Sequence, residues 1–122
     1  MSATKRGAVA ESITITRALE RGRDVMVPVR GLSPPYDMII RGQDGKFYKV
    51  QVKRAHLRVR GGCRTLRVNC TDSRGKPYRK SEVDIMAVVD VDTHRVWMIP
   101  LSRLGRQKTV AVSGGKYDEY LL

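Results

Sequence analysis

The chain has 122 residues, 41% of them hydrophobic and 30% charged, with a formal net charge of +12. Such a length supports one domain, residues 1–122, with one modest core, and the composition is that of a globular chain and not of a disordered one. No apolar run approaches membrane-spanning length and none follows the opening Met-Ser-Ala-Thr-Lys-Arg-Gly, so no membrane partner is expected and the expected location is cytoplasmic.

The charge is concentrated. Between residues 46 and 80 twelve Lys and Arg stand against one acid, Asp72. A field of this sign attracts polyanions, and arginine outnumbers lysine as phosphate recognition favours. Nucleic acid is therefore the expected partner, with Lys5, Arg6, Arg54, Arg58, Arg60, Arg64, Arg67, Arg74, Lys76, Tyr78, Arg79 and Lys80 as candidate contacts. An acidic protein or a membrane surface would call for an amphipathic basic helix, which the sequence lacks. Cys63 and Cys70 have no metal-type spacing and read as free thiols.

In chain order, residues 4–21 carry helical spacing, with Val9, Ile13, Thr16 and Leu19 as an apolar stripe that Ala8, Ile15 and Ala18 widen. Thr4 is the expected N-cap, and Gly22 ends the helix. Glu11 falls on the line Ala8, Glu11, Ile15, Ala18, at the edge of the face that should pack on a sheet. Two readings stand for it: an acid favoured by the helix dipole, or a carboxylate delivered to a site on the sheet. Val25–Val29 is a short strand closed by Pro28, and the loop from Arg30 to Pro35 is stiffened by Pro34-Pro35.

Residues 36–53 read as a β-hairpin. A half-apolar run, Tyr36–Arg41, meets a turn at Gly42-Gln43-Asp44-Gly45, and an alternating run, Phe47–Lys53, returns. Period two points Tyr48, Val50 and Val52 one way and Lys49, Gln51 and Lys53 the other, with Asp37 on the partner strand within reach of the polar row. That row is either a solvated face or a site in which Asp37 and the Gln51 amide oxygen hold a divalent cation beside the Lys53 ammonium.

A second hairpin follows, 55–60 and 64–69 around Gly61-Gly62, with Leu57, Val59, Leu66 and Val68 on one side and arginines between them. Residues 71–80 form a polar loop. Asp84–Val91 is nearly continuously apolar, as a strand buried on both faces would be, and Val96–Leu101 is a further strand ended by Pro100. From Ser102 the patterning is poor, and Tyr117–Leu122 is expected to dock through its aromatics. The fold class is α+β, one N-terminal helix packed on a mixed sheet with an Arg-rich hairpin.

Glu11 preceded by Lys5-Arg6-Gly7, then Val-Met-Val-Pro, Tyr-Asp-Met-Ile-Ile and Val-Gln-Val-Lys, together resemble the PD-(D/E)XK nuclease superfamily. The likeness covers roughly residues 5–101. It is greatest to the compact archaeal-type Holliday-junction resolvases and to the group I intron homing endonucleases that carry Gln in place of the second acid. Tyr78, Glu82-Val83-Asp84-Ile85 and Val-Trp-Met-Ile-Pro resemble the homing group.

The resemblance implies a restriction-endonuclease-like fold and a catalytic set of Glu11, Asp37, Gln51 and Lys53, the first three holding Mg²⁺, with Mn²⁺ as a substitute. The chain departs from the pattern twice: Tyr36 separates Pro35 from Asp37, and Gln51 replaces an acid, removing a charge that strengthens ligation of a hard cation. The implied activity is metal-dependent DNA endonuclease. With no zinc finger or helix-turn-helix in sight, a structure-selective enzyme cutting four-way junctions is favoured over a sequence-specific homing-type enzyme. A non-catalytic nucleic-acid-binding module with a degenerate site is the reading from a different class. The DNA partner would be branched or duplex, and cutting two strands implies a homo-oligomer, a dimer expected to form through the strand at 96–101.

Overall fold

The computed structural model describes residues 2–29 and 31–122, so Arg30, expected in the loop before the hairpin, lies outside the described residues. Helix α1, Ala3–Glu20, is followed by strands β1 (Val25–Met26), β2 (Met38–Arg41), β3 (Phe47–Arg54), β4 (His56–Arg60), β5 (Cys63–Asn69), β6 (Ile85–Asp90) and β7 (Arg95–Pro100). A four-residue helix α2, Leu101–Leu104, a strand β8, Thr109–Ala111, and a 3-10 turn, Asp118–Tyr120, complete the chain.

The strands form two sheets. The larger runs β1-β2-β3-β6-β7 and is antiparallel except where β3 and β6 pair in parallel; the smaller runs β4-β5-β8. A parallel pair cannot be joined by a tight turn. Here the crossover from β3 to β6 is made by the β4–β5 hairpin and the loop after it, so the Arg-rich arm is itself the connection.

Alternation along β3 and β6 divides the core in two. Val50, Val52, Ala87 and Val89 face α1 together with Met38, Ile40 and Val96. Met86 and Val88 point to the opposite side, where Trp97, Leu104, Val110 and Tyr117 pack. The central position of β6 thus follows from its uninterrupted apolar run, since both its faces are covered.

Helix α1 packs through a narrower stripe than its periodicity predicts. The buried residues are Ala10, Ile13, Thr14 and Ala18, while Thr16 and Leu19 face outward. The line Ala10, Thr14, Ala18 is made of small residues, so the helix axis lies close to the sheet. Thr14 satisfies its hydroxyl by donating to the Ala10 carbonyl at 3.0 Å. The cap is Ser2, whose Oγ accepts from the Lys5 N–H at 3.2 Å, and not Thr4, which is already helical. Gly22 follows the helix with φ +73°, as expected of a terminating glycine.

Other boundaries shift for local reasons. Only Val25 and Met26 of the expected 25–29 strand pair with β2; beyond them Val27 and Val29 are exposed. Gly61 and Gly62 both take positive φ between the paired residues Arg60 and Cys63, the two-residue turn whose twist suits a hairpin. Pro100 remains in β7 and Leu101 opens α2, whose Leu101 and Leu104 are buried. Strand β8 was not legible, because three residues are too few to show a period; it pairs with β5 through Val68 and Val110.

The C-terminal segment docks as expected, with Tyr117 buried and Trp97 Nε1 donating to Asp118 Oδ1 at 3.0 Å. It also alters the expectation of an interface at 96–101. Val96, Trp97, Ile99 and Leu101 are buried in the chain's own core, and the Leu122 N–H donates to the Val96 carbonyl at 2.9 Å. Most apolar side chains of that strand are therefore already in use, with Met98 half-buried. Cys63 is exposed at the arm tip and Cys70 is buried; both are free.

Ala18 is fully buried between helix and sheet. Ala18→Leu is expected to force the helix off the sheet at a cost of about 1–3 kcal/mol, read as a lowered urea midpoint with unchanged slope.

Candidate active site

Asp37 precedes β2 and is pinned to β3 by two bonds. Its N–H donates to the Val50 carbonyl at 2.9 Å, and its Oδ2 accepts from the Val52 N–H at 2.7 Å. Because these contacts flank Gln51, register alone brings Asp37 beside the polar side of β3. Gln51 and Lys53, with Val50 and Val52 committed to the helix side, look into an open groove of about 780 Å³ that Asp37 also lines. Lys49, the third member of the polar row, is diverted: its Nζ donates to the Ser81 carbonyl at 2.6 Å.

Lys53 is held in place. Its Nζ donates to the Thr71 carbonyl at 3.0 Å and lies 5.3 Å from the centre of the Tyr78 ring. Thr71 is in turn fixed by Asn69, whose Oδ1 accepts from the Thr71 N–H at 2.9 Å and from its hydroxyl at 2.6 Å. Neither Thr71 nor Asn69 was legible as a site residue, since the group that binds the lysine is a backbone carbonyl, which every residue possesses.

Glu11 reaches Asp37 from the helix, close enough for the two carboxyls to share a hydrogen bond when one of them is protonated. Glu11 lies more than two turns into α1, beyond the first turn where the helix dipole acts, so the dipole reading lapses. Its pKa is pushed up from 4.5 to about 7, first by burial, which disfavours the charged form, and then by the Asp37 charge and the shared hydrogen bond. Two carboxyls in contact cannot both ionise cheaply unless a cation stands between them. The donor set of two carboxylates and the Gln51 amide oxygen suits a hard divalent cation, so the residues fit such an ion.

Asp72 and Glu82 are the other acids of the groove; Glu82 faces Arg79, and Asp72 is occupied in the 71–77 turn. Its Oδ1 accepts from the Arg74 and Lys76 N–H groups at 2.9 and 3.0 Å, which holds its carboxyl below its usual range.

The basic residues divide into groups. Arg74, Tyr78 and Arg79 line the groove, Arg74 paired with Asp72 at 3.2 Å and Arg79 with Glu82 at 3.9 Å; Lys76 and Lys80 are exposed on the same loop. Arg58, Arg60, Arg64 and Arg67 lie on the arm. Arg6 and Arg54 line a different hollow of about 260 Å³ at the base of the arm, together with Leu57 and Asp90, and Lys5 is exposed on the first turns of α1. The structure therefore separates Arg6 and Arg54 from the groove.

The PD-(D/E)XK endonuclease family model matches residues 1–116, and the chain belongs to that family, whose nucleases generally use divalent metal ions. Among solved structures it is similar to the bacterial homing endonuclease I-Ssp6803I, with a TM-score of 0.82 and 20% identity over 99% of this chain and 89% of that one. At that identity the likeness carries the restriction-endonuclease-like fold. No curated protein matches the chain in sequence.

The Glu11 shift has a consequence for stability. A carboxyl raised from 4.5 to about 7 contributes stability that is complete below about 4.5 and lost as pH rises through about 7. In chelator, the unfolding midpoint of the wild type should fall relative to that of Glu11→Gln across this window, and added divalent cation should narrow the gap. Parallel curves for the two proteins would exclude the contact between Glu11 and Asp37.

Proposed function

We propose that the chain is a divalent-metal-dependent DNA endonuclease acting on duplex DNA, with Glu11, Asp37, Gln51 and Lys53 as its active site. The observation that carries this reading is the meeting of Glu11 with Asp37, which itself lines one open groove with the Gln51 amide and the anchored Lys53 ammonium. Two carboxylates facing a phosphodiester would repel it, so a pure binding module has no use for them. A cation held by Glu11, Asp37 and the Gln51 carbonyl, Mg²⁺ or Mn²⁺, would neutralise phosphoryl oxygens and make water a stronger nucleophile. Lys53, oriented by the Thr71 carbonyl and the Tyr78 ring, stabilises negative charge developing on the phosphate. Lys76 and Lys80 bind the flanking backbone and set register without reading bases.

The choice of duplex over a four-way junction rests on the arm. All of β4 is exposed, and a two-stranded ribbon of this kind fits a major groove, which a linear duplex offers without interruption. Hydrolysis of both strands calls for two such sites, supplied by a symmetric homo-oligomer.

Incubated with Mg²⁺ and, in parallel, linear duplex pools, a four-way junction and single strands, the protein should cut duplex. Cleavage confined to the junction would restore the structure-selective reading. Asp37→Ala and Lys53→Ala should each lower the cleavage rate by at least about 100-fold while leaving duplex affinity within a few fold; retained cleavage in both would refute the site. Gln51→Glu should preserve or raise metal affinity by calorimetry, and its loss would mean that Gln51 points elsewhere. Lys76→Gln combined with Lys80→Gln should reduce the slope of log affinity against log salt by about 2.

A further inference from the structure

The arm has two faces that lead to different places. Residues opposite one another in register share a face, so His56, Arg58 and Arg60 stand with Arg67, Thr65 and Cys63, whereas Leu57 and Val59 stand with Leu66 and Arg64. Along β5 the first face continues to Asn69, which lines the groove that holds Asp37, Gln51 and Lys53. The second runs through Leu66 to the buried Val68. A duplex with a phosphate in the groove therefore lies along the first face.

Two arginines of that face are unoccupied. Arg67 donates to Thr109 Oγ1 at 2.9 Å, and the groove arginines are paired with acids. Arg58 and Arg60 are exposed and have no ion-pair or side-chain hydrogen-bond partner among the described residues. Two strands ~4.8 Å apart, with their side chains, fill a groove ~12 Å wide, so the inward face meets base edges while the ribbon's own edges meet the phosphate walls. The guanidinium fork matches the O6 and N7 acceptors of guanine. Residues i and i+2 on a strand are ~6.8 Å apart, which equals two base-pair rises of ~3.4 Å.

Resting on the reading of duplex DNA as substrate, we propose that the polar face of the arm enters the major groove and that Arg58 and Arg60 each select a guanine, the two guanines separated by two base-pair steps. Nothing else on that face reaches outward with a free bidentate fork, so these two positions carry the strongest base preference of the site.

The test is selection of bound duplexes from a randomised pool in Ca²⁺, with wild type, Arg58→Ala and Arg60→Ala in parallel. Both side chains are exposed, so the variants should fold, which circular dichroism checks. Wild type should enrich two guanines two steps apart. Each variant should lose preference at one of them, with a discrimination loss of roughly 5- to 150-fold, and keep it at the other. A uniform loss of affinity with the base preference unchanged would make these arginines phosphate contacts, and guanines at another spacing, or none, would overturn the inference while leaving a duplex endonuclease intact. Failure to bind any duplex in preference to a four-way junction would overturn both.

Discussion

Strand β3 is hydrogen-bonded on both sides, antiparallel to β2 and parallel to β6, and the remainder of the molecule depends on that double pairing. With both ladders fixed, its side chains can alternate in only one phase. Val50 and Val52 go under the helix and Gln51 and Lys53 go into the groove. A slip of one residue would bury the amide and the ammonium and expose the valines, at about 1.5–3 kcal/mol for each valine before the desolvated polar groups are counted. The hydrophobic core therefore enforces the register that presents the site.

The same strand explains how an acid from a distant helix joins it. Asp37 is bonded to β3 through Val50 and Val52, and α1 lies across those valines on the small residues Ala10, Thr14 and Ala18. Small side chains permit the approach that brings Glu11 against Asp37. Helix packing and site assembly are one event, with an electrostatic cost recorded in the raised Glu11 pKa. A chain with such an excess of basic residues has acids to spare for few purposes, and this pair is spent on contact with each other.

The connection between the parallel strands is the second organising feature. The crossover passes through β4 and β5, and its return loop supplies the Thr71 carbonyl and Tyr78 that hold Lys53. The arm and the site are thus joined through a few residues: Asn69 ends β5, fixes Thr71 and lines the groove.

Most of the strands, the two hairpins and the identity of Asp37, Gln51 and Lys53 as neighbours were determined by the sequence alone, because period two and the Gly-rich turns are local properties of the chain. Charge density was equally local and named a polyanion as partner. Tertiary structure decided what depends on distance in space and not on spacing in sequence. It brought Glu11 against Asp37, found in Thr71 the carbonyl that orients Lys53, gave β8 its partner, and set Arg6 and Arg54 apart from the groove. It also turned Leu57 and Val59, which alternate like core residues, to solvent, because the ribbon that carries them extends beyond anything that could cover them. A pattern records which side chains share a face, and only the packed molecule decides what that face meets.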